Sequence, residues 1–141
     1  MNLPDYLRSL GACPEAREWA AGYSTLAEAW TACERADWLL WYAGKRGVDR
    51  KILVRAACAC ARTVLPYVPV GEDRPRLAIE MAERWCDGLA TLQEVSAAAA
   101  YSAAVDAYAA AYAAADADAR SKAHLEMCVL VRALIPCPSE P

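Results

Sequence analysis

The run Ser96–Arg120, which after its serine reads AAAAYSAAVDAYAAAYAAADADAR, constrains the fold more than any other part of the chain. Alanine is the strongest intrinsic helix former because it has no side-chain entropy to lose, and its small side chain lets a second helix approach closely. A helix is therefore predicted here, built for packing, since the run carries almost no reactive group. Tyr101, Val105, Tyr108 and Tyr112 recur at i, i+4, i+7 and i+11 and so share one stripe. That stripe serves either as core packing with hydroxyls at the rim or as the contact of a homodimer with this helix at the two-fold axis.

Elsewhere the chain is punctuated by proline, glycine and capping residues, and nothing alternates as a strand does. Helices are expected over Pro4–Leu10, stopped by Gly11, and from Pro14 to near Gly22. Thr25–Glu28 is a capping box that opens a helix running to about Ala43 with Gly44 as its stop. Asp49 caps a helix over Arg50–Leu65, ended by Pro66 and Pro69, and Tyr67–Val70 is a loop. Asp73 caps a helix with Pro75 in its first turn that closes at Asp87–Gly88, and Thr91–Glu94 is a second capping box. An unbroken helix from Leu92 to Ile135 would be about 66 Å long, so a break at Asp116–Asp118 is the natural alternative to an overhang or a covering second copy. The expected fold is all-α: one domain over 1–136, a bundle of about six to seven helices with a long Ala-rich C-terminal helix, and a disordered tail over 137–141.

A chain of 141 residues, 57% apolar, can bury about two thirds of its unfolded surface in a single core. Five tryptophans and seven tyrosines fill the place of the missing phenylalanine. With a net charge of -3 and interspersed acids and bases, the chain lacks the basic face of a general nucleic-acid binder. The N-terminus MNLPDYLRSLGACPEA has no basic segment followed by an apolar one, so no secretory signal is read and a cytoplasmic protein is expected. The Ala-rich run, interrupted by Ser102, Asp106, Asp116 and Asp118, does not read as a membrane span. The seven cysteines at 13, 33, 58, 60, 86, 128 and 137 then read mostly as thiols serving as small core residues.

Few patterns carry chemistry. On the predicted third helix, Leu26, Trp30, Cys33, Asp37 and Leu40 form one stripe, which puts a carboxylate on an apolar face. Arg55 and Arg62, on one face of the next helix, are the partners it calls for, as a structural ion pair or as the acid of a small enzyme. Cys58 and Cys60 lie about 200° apart around a helix and cannot meet at one metal. The single histidine, His124, has Met127 and Cys128 rather than a carboxylate or a second histidine at i+3 and i+4, so neither a metal nor a cofactor is expected. In GEDRPRLAIEMAERW, Leu77, Met81 and Trp85 are expected to face inward, with Arg76, Glu80 and Arg84 paired outside. Arg74 and Arg76 flank the helix N-terminus, but Glu72 and Asp73 oppose an anion there.

The segments CERADWLLWYAG, VRAACACARTVLPYV and GEDRPRLAIEMAERW, followed by an Ala/Tyr-rich helix and VLVRALIP, resemble the immunity proteins of the Imm5-like group. They are also similar to small phage and prophage proteins. The resemblance spans about Thr25 to Pro136, and its most specific piece is Asp73–Trp85. It implies an all-helical, non-catalytic protein that neutralises a toxin by binding it, with no catalytic residues to carry over. The expected partner is thus a protein: a toxin, or a host enzyme if the chain is a phage accessory or anti-defence protein. Arg74, Arg76, Glu80, Tyr101, Tyr108 and Tyr112 are the candidate binding residues. The alternative in a different class is a small enzyme using Asp37 with Arg55 or Arg62.

Overall fold

The computed structural model of the chain describes residues 1–63, 65–98 and 117–139. Among them are eight α-helices and no strand: α1 Leu3–Ser9, α2 Pro14–Ala20, α3 Leu26–Ala32, α4 Ala36–Lys45, α5 Arg50–Arg62, α6 Arg74–Cys86, α7 over 92–98 and α8 Ala117–Leu134. A 3-10 turn, Leu65–Tyr67, follows α5. The fold is all-α, as the sequence predicts, with slightly more helices than the six to seven expected. The tyrosine stripe and Asp116 lie outside the described residues, and of the expected break Ala117 and Asp118 are in α8.

The helix ends obey local chemistry. Both capping boxes form: Thr25 Oγ1 accepts from Glu28 N at 3.2 Å, and Thr91 Oγ1 from Glu94 N at 3.1 Å, with each glutamate reaching back to its threonine's N–H. Asp49 caps α5 by accepting from Lys51 N at 2.9 Å. At α6 the capping acid is one residue earlier than predicted. Asp73 makes no capping bond, and Glu72 accepts from Arg74 N at 3.1 Å.

The largest correction concerns the predicted helix from Thr25 to Ala43, which breaks after Ala32 and resumes at Ala36. Cys33 is extended (ψ 129°) and so is Arg35 (φ -117°, ψ 100°). In a continuous helix the carbonyls of Trp30 and Cys33 would accept from Glu34 and Asp37. Instead Arg132 of α8 donates Nη1 to both, at 3.3 Å and 3.0 Å, so the freed carbonyls are satisfied by a charged donor from the far end of the chain. Gly44 consequently lies inside α4, where it faces Leu53 of α5, and the stop is Gly47 at φ 77°. There Gly47 N bonds to Gly44 O and Val48 N to Ala43 O, which closes the last turn of α4.

Helix α5 packs against α4, α6 and α8, α4 also packs against α8, and α1 pairs with α2. Small fully buried residues, Ala43 on α4, Ala56 on α5, and Cys128 with Val131 on α8, let these helices come close. Five of the seven cysteines are buried and all seven are free thiols, with Cys13 exposed and Cys137 half-buried. After Ile135 the chain is irregular, yet Cys137 packs on the core and the Ser139 carbonyl accepts from Arg46 at 3.0 Å. No helix among the described residues is long and apolar enough to cross a membrane.

Candidate protein-binding face

Helix α6 turns one side to α5 and the other to solvent. Its inner side is set by buried Ile79 and Cys86. Two inter-helix ion pairs flank them: Arg62 forks onto Glu83 at 2.6 and 2.7 Å, and Arg55 reaches Asp87 at 2.7 Å. These contacts rotate the helix away from the predicted orientation. Leu77 is 50% exposed, Met81 and Trp85 are half-buried, and Trp85 is covered from outside by the Arg50 guanidinium at 5.6 Å. The expectation that Leu77, Met81 and Trp85 form the inward stripe is therefore corrected, because the ion ladder and the smaller Ile79–Cys86 edge take the place against α5.

The outer side of α6 and residues 97–98 of α7 enclose a cleft of about 380 Å³ lined by Arg74, Leu77, Glu80, Met81, Arg84, Ala97 and Ala98. Of the candidate residues, Arg74 and Glu80 line the cleft, and Arg76 joins them only through its pair with Glu80. Arg76 pairs with Glu80 at 2.8 Å and with Asp73 at 3.4 Å. Arg74 forks onto Glu72, whose carboxyl is held at about 2 by that guanidinium. With acids already seated on both arginines, the N-terminus of α6 has the opposed charge the sequence predicts for it, a poor cradle for phosphate. Arg84 bonds to the Leu89 carbonyl at 3.3 Å and has no carboxylate partner among the described residues. Tyr67 and Val70, which precede α6 in the chain, and Leu89 and Leu92, which follow it, are exposed. Tyr101, Tyr108 and Tyr112 lie outside the described residues.

Asp37, Arg55 and Arg62 are not brought together. The break before α4 moves Asp37 off the apolar stripe and into the first turn of α4, with its side chain 54% exposed. Arg35, two residues away, forks onto it at 2.9 and 2.8 Å and lies 4.6 Å over the Trp38 ring. That guanidinium lowers the Asp37 carboxyl. Arg55 and Arg62 are engaged with α6 instead, so the constellation the enzyme alternative relied on is not assembled. His124 Nδ1 is buried without a hydrogen-bond partner among the described residues. Among the described residues no three His, Cys, Asp or Glu side chains gather as metal ligands.

The sequence also concealed a second feature. Trp19, Trp30, Trp38 and Trp41, four of the five tryptophans, line an open apolar hollow of about 60 Å³ among α1, α2, α3 and α4. Their crowding into residues 19–41 is the signal that could have found it. No family model, curated protein or solved structure matches the chain.

Proposed function

We propose that the chain is a non-catalytic binding protein of the immunity type, which neutralises a toxin by direct contact through the outer side of α6. One observation carries the reading: Leu77 and Met81 lie in an open cleft among Arg74, Glu80 and Arg84, an apolar centre with a charged rim. Protein interfaces are organised in this way, and arginine beside an apolar pocket is over-represented among the side chains that dominate binding energy. The motif that carries the resemblance, Asp73–Trp85, is the same helix.

The test takes as partner a toxin domain encoded by an adjacent gene, where the genome carries one. Co-expression should protect cells from it, and calorimetry should give a complex. Leu77→Glu and Arg84→Glu should each weaken that complex at least about tenfold, because a charge is placed in the apolar centre or a cationic anchor is reversed. Val129→Glu, on an exposed position of α8, should leave binding unchanged. Failure to protect or bind would end the immunity reading, while full binding by both α6 variants would move the interface elsewhere.

A further inference from the structure

We propose that the cleft on the outer side of α6 takes an amphipathic helix of the partner protein, one that sets a carboxylate against Arg84 beside apolar side chains seated on Leu77 and Met81. The inference rests on the reading of that side as the binding face and adds what the partner must present. Its starting point is the unequal state of the arginines around α6. Arg74 forks onto Glu72, and Arg76 holds Glu80 at 2.8 Å. From α5, Arg62 and Arg55 reach Glu83 and Asp87 at 2.6 and 2.7 Å. Arg84 lines the cleft and holds no carboxylate among the described residues. Its guanidinium donates instead to the neutral Leu89 carbonyl at 3.3 Å, longer than any of those ion pairs. A guanidinium has five N–H donors in a fork that matches a carboxylate two at a time, so this one keeps unspent capacity for an acid.

A free anion does not answer to this arrangement. Arg84 lies in the last turn of α6, where the helix itself carries partial negative charge. A carboxylate is held there when the rest of its carrier gains from the cleft, and Leu77, Met81, Ala97 and Ala98 supply that apolar gain. Leu77, Met81 and Arg84 fall at i, i+4 and i+7, so they share one face over about 10 Å of helix. A second helix carries apolar and acidic side chains at the same spacing, and the alanines of the opposite wall leave room for them. An extended segment has no comparable seat, because among the described residues no strand offers an edge for it to join.

The probe is a blocked peptide of about 15 residues, alanine and glutamine apart from leucines at i and i+4 and glutamates at i−3 and i+7, so that either direction of docking brings a carboxylate to Arg84. Its twin carries lysine at both glutamate positions. Amide shifts of the full chain, followed on titration with each, should saturate around Leu77, Met81 and Arg84 with the glutamate peptide, and the twin should bind at least about tenfold more weakly. Arg84→Gln should remove that preference. Absence of saturation, shifts elsewhere, equal affinity for the two peptides, or a preference that survives Arg84→Gln would overturn the proposal. So would nuclear Overhauser contacts between residues 99–116 and the Leu77 and Met81 side chains in the free chain, or a dimer mass that Leu77→Glu reduces to that of a monomer, since this protein would then fill its own cleft. The two readings fail separately. A toxin held through Leu77 with no charge preference among the peptides keeps the immunity reading and ends this one, whereas charge-selective peptide binding without any toxin complex does the reverse.

Discussion

Asp37 and Arg132 show how differently two charged side chains can matter. Asp37 bonds to Arg35 in a fork with good geometry, but both groups are substantially exposed, and water and salt weaken such a pair. Asp37→Ala should therefore cost less than about 1 kcal/mol in urea unfolding. A loss of several kcal/mol would mean the carboxylate has a buried partner after all. Arg132 makes only two bonds, yet they go to carbonyls that no backbone N–H reaches. Arg132→Met keeps most of the side-chain volume and strands both acceptors, so the expected cost is about 2 to 3 kcal/mol. A cost under about 0.5 kcal/mol would show that water satisfies those carbonyls instead.

At the scale of the element, glycine separates two situations that look alike in a sequence. Gly44 is helical, and a β-carbon there would sit 3.7 Å from Leu53 Cδ1, an ordinary contact. Gly44→Ala should raise stability by about 0.5 to 1 kcal/mol by reducing the freedom of the unfolded chain. Gly47, at φ 77°, closes α4, and Gly47→Ala should cost about 1 kcal/mol because alanine is strained there. Thermal unfolding of the two variants should move in opposite directions, and a shared direction would contradict the assigned helix end. The same contrast explains what was legible beforehand. Both capping boxes, the cap at Asp49 and the stops at Gly11 and Gly88 are decided by neighbours in the chain, so the sequence displays them. The break at Cys33–Arg35 is decided by Arg132, about a hundred residues away, and no local pattern announces it. The rotation of α6 is hidden for a related reason: Leu77 and Met81 at i, i+4 read identically as core or as cleft until Arg55 and Arg62 find their partners. Arg74, Arg76 and Glu80 were legible as a charged helix face because their partners lie within a few residues along the chain, in α6 or just before it.

The molecule as a whole should respond to pH at both ends of the scale. The Arg74 guanidinium holds Glu72 at about 2, and Arg62 and Arg35 lower Glu83 and Asp37. Unfolded carboxyls take up protons first as pH falls, so this contribution is complete above the ordinary carboxyl range and is lost on acidification toward about 2. Burial pushes the Cys58 and Cys128 thiols up from 9.0 to about 11. Unfolded thiols ionise first as pH rises, so stability should fall between 9.0 and about 11. Urea midpoints measured across this range should form a plateau between about 5 and 9 with a decline on each side. A midpoint that rises on acidification from pH 5 to 3, or one that stays flat above 9, would contradict these assignments.

The bond from Arg132 to the end of α3 also imposes an order on the birth of the protein. Residues 30 and 33 leave the ribosome long before residue 132 does, and until then their carbonyls have only solvent or a continued helix to satisfy them. A nascent chain that has already presented α1 to α6 should thus carry an unfinished corner, with α3 and α4 free to run together as one rod. The bend, and the spacing of the tryptophans on either side of it, would be installed late. Protease treatment of stalled chains ending before and after residue 132 would reveal whether the corner at Cys33–Arg35 changes its susceptibility at that length.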